Sequence, residues 1–222
     1  MDTSQNRNSE CWYKEVCDDN CFMCNKFLEM KNLMETSNLP KAKQKVITLN
    51  APRVDLEAYR RLNDIKADIY NFVQDGRNLY IASEQSGNGK TSWAIKMMHK
   101  YFEEVWYGNC LKERALFVHV PTFLMKCKQF KDTDREFEHL KKLLWDIDLV
   151  VWDDIASTDM SSFDYSQLLP YLDSRSLGEL SNIYTGNFPD REKLMEHVGA
   201  KLASRIWSKG TEVVIFRGGD VR

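Results

Sequence analysis

Leu79-Tyr-Ile-Ala-Ser-Glu-Gln-Ser-Gly-Asn-Gly-Lys-Thr91 takes the chain from an apolar, strand-like run through a glycine-containing loop into Gly-Lys-Thr, and a helical pattern follows. This is the local order that holds a nucleotide's phosphate tail. Backbone N–H groups of the loop and the N-terminus of the next helix face the anionic oxygens, a lysine reaches the terminal phosphates, and a hydroxyl ligates Mg²⁺. Gly87, Asn88, Gly89, Lys90, Thr91 and Ser92 supply that cradle, with Lys90 as the phosphate contact and Thr91 as the metal contact. ATP and Mg²⁺ are the expected ligands. One position departs from the G-x-x-x-x-G-K-[ST] pattern: its first glycine falls on Glu84. Gly-Lys-Thr alone is a short motif, so the weight rests on the strand before it and on a second segment.

That segment is Asp148-Leu-Val-Val-Trp-Asp-Asp-Ile155. Leu149 to Trp152 form a short apolar run with β-branched residues, which reads as a buried strand. Two acids stand where it ends. Ligands of open α/β sheets bind beyond the carboxyl ends of the strands, so Asp153 and Asp154 are expected to face the phosphate loop. Asp153 suits the Mg²⁺ shell, and Asp154 can orient or deprotonate an attacking water. The interval between Thr91 and Asp148 leaves room for one intervening strand–helix unit.

From Asn78 onward strands and helices alternate. Strands are expected at Leu79–Ala82, Ala115–Val120, Leu149–Trp152, Asn182–Tyr184 and Glu212–Phe216. Helices are expected at Leu56–Phe72, Ser92 to about Tyr107, Pro121 to about Phe130, Arg135–Trp145, near Tyr165–Leu172, and about Glu192–Trp207. The alternation predicts an α/β fold of three layers around a parallel sheet. Ser181-Asn-Ile-Tyr-Thr-Gly-Asn187 ends one of these strands in a polar cluster. If that strand lies between the phosphate-loop strand and the acidic one, Asn187 or Thr185 can hydrogen-bond a γ-phosphate or the attacking water. Otherwise it is a strand-terminating turn, where Asn and Gly are common.

At 222 residues the chain can bury one full-sized core and a small appendage. A formal net charge of −2 gives no global nucleic-acid or membrane signature. Apolar runs are of strand length and the N-terminus lacks a signal-peptide core, so a cytoplasmic protein without membrane contact is expected. Four of the six cysteines, Cys11, Cys17, Cys21 and Cys24, crowd the first segment. Clustered cysteines in a reducing compartment favour metal over disulfides, and the Cys21–Cys24 pair has the spacing that grips one tetrahedral ion. Zn²⁺ completed by Cys11 and Cys17 is the expected ligand, with reduced thiols as the alternative. Residues 1–50 thus read as a Cys-rich, zinc-binding N-terminal module, too short to build its own apolar core, and 51–222 as the nucleotide domain.

The phosphate loop, the Asp-Asp strand, the Thr-Gly-Asn strand, Lys201-Leu-Ala-Ser-Arg-Ile206 and the terminal Gly218-Gly-Asp-Val-Arg222 occur in an order that resembles the bacterial and phage helicase loaders of the DnaC/DnaI type, which are AAA+ P-loop ATPases. The resemblance covers roughly residues 50–222, and a cysteine-rich N-terminal module is similar to the helicase-binding part of DnaI-like loaders. It implies an ATPase that binds the hexameric replicative helicase, forms a homo-oligomer on it and places it on single-stranded DNA. By the same resemblance Lys90 and Thr91 are Walker A residues and Asp153 with Asp154 the Walker B pair. Asn187 falls at or beside sensor 1, Arg205 resembles the arginine finger, and Arg222 resembles the sensor 2 arginine. Asp154 stands where most AAA+ ATPases carry Glu, which favours binding over fast turnover. Competing readings are an IstB-like transposition helper, a small-molecule P-loop kinase and a non-hydrolysing scaffold. For DNA contact the candidate residues are Lys126, Lys128 and Lys131 beside Phe123 and Phe130, a basic-aromatic setting suited to backbone tracking, against a solvated helix face as the alternative.

Overall fold

The computed structural model describes residues 23–44, 49–129, 134–156 and 160–219, and of Met23 and Cys24 only the backbone. Its strands are β1 (Asn78–Ala82), β2 (Ala115–His119), β3 (Leu149–Asp153), β4 (Ser181–Gly186) and β5 (Thr211–Ile215), all parallel, in the order β2-β3-β4-β1-β5. The helices are α1 (Met23–Thr36), α2 (Leu56–Ala67), α3 (Ile69–Gln74), α4 (Lys90–Val105), α5 (Val120–Gln129), α6 (Arg135–Leu143), α7 (Ser162–Leu177), α8 (Arg191–Val198) and α9 (Ala200–Ile206). Parallel neighbours need crossovers, and the crossovers put helices on both faces of the sheet.

Side chains of a strand alternate between faces, and the two apolar clusters divide on that rule. Leu79, Ile81, Phe117, Val151 and Ile183 pack on one side with α1 to α4, while Tyr80, Ala82, Val118, Trp152 and Tyr184 pack on the other with α5 to α9. All five residues of β3 are buried, which is why its sequence reads as an uninterrupted apolar run. The expected three layers and parallel sheet are both present. β4 lies between β1 and β3, the arrangement under which the Thr-Gly-Asn cluster reads as part of a site rather than as a strand-terminating turn. β1 sends its connection to β2 at one edge and β4 sends its connection to β5 at the other. The crevice opens at such a reversal, beyond the tips of β1 and β4.

Three expected helices differ in extent. The one from Leu56 is broken at Asp68 (φ −110°) into α2 and α3. The one near 192–207 is broken at Gly199, whose φ of 81° lies in the region glycine reaches without strain. Around 165–172 the helix is longer than its apolar spacing suggests; α7 carries Pro170 inside it and starts on a Ser161–Asp164 capping box.

The segment before residue 50 holds the larger surprise. Phe27, Met30, Leu33 and Met34 of α1 are buried, and the last three with Leu39 belong to the cluster that includes α4 and the sheet. Beyond α1, the Ser37 carbonyl accepts the Phe117 N–H at 2.8 Å and the Asn38 side-chain amide donates to the Phe117 carbonyl at 2.8 Å. The open edge of β2 is thereby covered. Arg175 is buried too, with 0% exposure, donating to Asn182 Oδ1 at 2.7 Å and to the carbonyls of Ile147 at 2.8 Å and Ser181 at 2.7 Å. It ties the entry of β3 to that of β4, and burial lowers its pKa to about 10, so it stays a cation at neutral pH.

Candidate functional site

Between β1 and α4 the chain turns through Gly87 (φ 78°) and Gly89 (φ 90°), both left-handed, so a side chain at either position is strained. Gly89 precedes α4 and offers no capping side chain, and the first turn of α4 contains no acid. The positive end of a 16-residue helix is left facing the loop, which suits an anion. Lys90 is buried, and its ammonium lies 2.9 Å from the Gln85 carbonyl, 3.4 Å from Asn88 Oδ1 and 3.5 Å from the Ser83 carbonyl. Asn88 is 2% exposed, and its side-chain N–H group has no hydrogen-bond partner among the described residues.

Glu84, at the departing position, is exposed, and its φ is not among the left-handed ones. Glycine is therefore not required there, and the carboxylate pairs at 3.3 Å with Lys193 of α8.

The acidic strand meets this loop across β4. The Thr91 hydroxyl donates to Asp153 Oδ1 at 2.7 Å, and the Thr185 hydroxyl donates to the same oxygen at 2.8 Å. Asp153 is 4% exposed and Thr185 is 1% exposed. The Thr185 oxygen also accepts the Asp154 N–H at 2.9 Å, and the Thr185 carbonyl accepts the Ile155 N–H at 2.9 Å. Asp154 is half-buried with φ 60°, a left-handed conformation that costs about 1 kcal/mol for a non-glycine residue and persists where surrounding bonds hold it. Gly186, next along β4, has no room for a side chain, since an added Cβ would lie 2.6 Å from the Tyr80 hydroxyl. The Thr-Gly-Asn cluster is thus more than a turn. Its threonine faces the two aspartates rather than open space, and its glycine admits Tyr80. Asn187 stands half-buried one residue beyond β4.

Two sets of contacts that the sequence reading did not foresee close the site. Asp55 is 2% exposed and its carboxylate accepts the N–H groups of Arg217 at 2.7 Å and Gly218 at 3.0 Å. A Cβ on Gly218 would lie 2.6 Å from that carboxylate, and one on Gly219 would lie 3.1 Å from Gln85 Oε1. The stretch after β5 is therefore laid against the phosphate loop. Under the loop, Tyr59 packs edge-on to Trp93 with ring centroids 5.1 Å apart, and its hydroxyl lies 3.8 Å from where a Gly89 Cβ would be. Burial raises the Tyr59 pKa. A helical period made Tyr59 legible as core, and nothing in the sequence tied it to Gly89.

The other expected residues fall elsewhere. Arg205 is on the outer face of α9, with its guanidinium 2.6 Å from Asp173 of α7. Arg222, Cys11, Cys17 and Cys21 lie outside the described residues, as does the Cys24 side chain. Cys110 and Cys127 are free thiols, and among the described residues no three His, Cys, Asp or Glu side chains form a metal-holding group. For DNA contact, Phe123 is buried in the core, Lys126 lies over Phe137, and Lys128 pairs with Asp164 at 2.8 Å. The expected stacking platform is thus not built from Phe123, while Phe130 and Lys131 lie outside the described residues. No described helix is long and apolar enough to cross a membrane.

The donor set fits a magnesium nucleotide. Lys90, the uncapped start of α4 and the two left-handed glycines would hold phosphates, and the oxygens of Thr91 and Asp153 are the hard ligands Mg²⁺ takes. When bound, the metal supplies charge neutralisation between phosphate oxygens.

No protein-family model matches the chain, and no curated protein matches it in sequence. Solved structures do. The chain is similar to the DnaC helicase loader with a TM-score of 0.65 at 20% identity, over 80% of this chain and 100% of that one. It is similar to DnaI with a TM-score of 0.64 at 20% identity, over 85% and 100%. AMPPCP-bound DnaA from Aquifex aeolicus matches with a TM-score of 0.55 at 16% identity, over 76% of this chain and 48% of that one. The resemblance to DnaC and DnaI that the motif order suggested is borne out in the fold, across most of the chain.

Proposed function

We propose that this chain is an ATP-dependent loader of a hexameric replicative helicase, an AAA+ ATPase that escorts the ring onto single-stranded DNA. The observation that carries the reading is the joining of Thr91 to Asp153 at 2.7 Å, because it brings the phosphate-loop helix and the acidic strand to one point across β4. Likeness in fold to the DnaC helicase loader and to DnaI supports the choice of partner. In this reading Lys90 and the loop hold the phosphates, Thr91, Ser92 and Asp153 serve the Mg²⁺ shell, and Asp154 orients water. Asn187 senses the γ-phosphate. Arg205 is offered to the nucleotide of a neighbouring copy in a homo-oligomer, and Arg222 closes on the chain's own nucleotide. Cys11, Cys17, Cys21 and Cys24 bind Zn²⁺ in a segment that docks on the helicase.

The test mixes the full chain with a hexameric replicative helicase, with and without ATP and Mg²⁺, and follows complex mass and helicase capture by circular single-stranded DNA. A helicase-containing complex and capture raised about tenfold by the chain are expected. A chain that leaves helicase mass and capture unchanged overturns the loader.

A further inference from the structure

Thr185 makes hydrogen bonds to both acids at the tip of β3. Its hydroxyl carries a single proton, and that proton goes to Asp153 Oδ1 at 2.8 Å. Its oxygen in turn accepts the Asp154 N–H at 2.9 Å. A hydroxyl used in both directions has a fixed orientation, and here it spans the peptide that joins the two aspartates. On one side it competes with Thr91 for the same carboxylate oxygen, which takes both hydroxyls. On the other it holds the amide of a residue whose φ of 60° needs support. The main-chain carbonyl of Thr185 holds the next amide, that of Ile155, at 2.9 Å. Valine has nearly the same shape as threonine and would fit the β4 strand. Thr185 is 1% exposed, so its hydroxyl has these two bonds as its work.

We infer that Thr185 is a positioning residue that, through its hydroxyl, couples the magnesium-facing carboxylate of Asp153 to the backbone of Asp154, so that the metal shell and the aim of the second acid are set together. This rests on the nucleotide reading above and deepens it. Thr185 need not touch nucleotide to act. By taking Asp153 Oδ1 from the β4 side, it leaves the other carboxylate oxygen for the metal. By holding the Asp154 amide, it keeps that side chain from following an ordinary strand path. The serine hydroxyl can make both bonds, and valine can make neither.

Two readouts separate this role from plain packing. The first uses no nucleotide: amide hydrogen exchange measured by NMR in the full chain. In Thr185→Val the Asp154 amide should exchange at least about tenfold faster, while Ile155, held by a main-chain carbonyl, keeps its protection. The second is the Mg²⁺ concentration that gives half of the metal-dependent gain in ATP affinity, by calorimetric titration. It should rise about tenfold in Thr185→Val and stay within about threefold of wild type in Thr185→Ser, with metal-free ATP affinity unchanged in both. If the valine variant does not fold, Thr185→Ala carries the same comparison.

Retained Asp154 protection with an unchanged Mg²⁺ requirement overturns the inference. So does a serine variant that behaves like valine, or uniform loss of protection along β4. A wild-type chain that binds no ATP removes the nucleotide reading instead, and the amide measurement still judges the hydroxyl bridge.

Discussion

The tip of β3 and the outer face of α9 both carry residues expected to act on a nucleotide, and the fold treats them in opposite ways. Asp153 is 4% exposed and joined to Thr91 and Thr185, so its position follows from the packing of two strands and a helix. Arg205 is half-exposed, and its partner is an equally exposed carboxylate, Asp173. Buried, multiply bonded groups hold one geometry, whereas an exposed ion pair contributes little and exchanges readily with water or another partner. One half of the candidate site is thus finished within the chain. The other half is presented outward, as the proposed role of Arg205 at a neighbouring copy's nucleotide requires.

The sharpest way to break this contrast is at Lys90. Its ammonium sits among loop carbonyls in a buried position. Lys90→Ala should weaken ATP binding by about a thousandfold, the order expected when a buried charge-assisted contact to phosphate is lost. Isothermal calorimetry on the folded variant decides it. Affinity within tenfold of wild type would mean that the wired region is not the nucleotide seat.

The same region can be loosened by acid, through His99 on α4. Burial lowers the His99 pKa from 6.5 to about 4, and its Nε2 has no partner among the described residues. Between those two values the unfolded chain holds a proton that the folded chain refuses. Unfolding takes up that proton, so stability falls as pH drops below 6.5 and is flat above it. From pH 7.5 to pH 5.0 the loss from this group should be about 2 kcal/mol. Urea unfolding of wild type and His99→Leu at both pH values isolates it from the carboxylates, because the leucine variant lacks this part of the slope. Equal slopes in the two proteins would show that the histidine is not the cause.

What the sequence made legible follows the same division. The strands and helices around the site were readable because local chemistry marks them: an apolar run at Leu149–Trp152 suits the inside of a parallel sheet, and Gly-Lys-Thr opens a helix, whereas the order of the strands was not readable. Thr185 was noticed as a polar strand end, but a sequence cannot tell whether a hydroxyl faces a ligand or its own neighbours. Asp55 was silent, being an acid 162 positions from the Arg217 amide it holds. Arg175 looked like any helical arginine, and only the fold brings carbonyls from the starts of β3 and β4 around it. The buried face of α1 was visible in principle, since Met30, Leu33 and Met34 recur at helical spacing, but the cysteines beside them drew the reading towards metal. Contacts distant in sequence and made to backbone groups leave no local pattern.

The smallest effect should come from Arg205→Ala, and its smallness is the point. The pair with Asp173 is exposed on both sides, 43% and 38%, so its loss should cost well under 1 kcal/mol in urea unfolding. ATP affinity of the isolated chain should also stay within about twofold, because no bond joins Arg205 to the phosphate loop. A change should appear only where copies meet: helicase-stimulated ATP turnover should drop at least about tenfold, as when a donated arginine is removed from a phosphoryl-transfer site. Asp173→Ala, which frees the guanidinium, should leave that turnover intact. If Arg205→Ala instead weakens ATP binding by the lone chain, the arginine belongs to the wired half, and the division between an internal and an offered part of the site is lost.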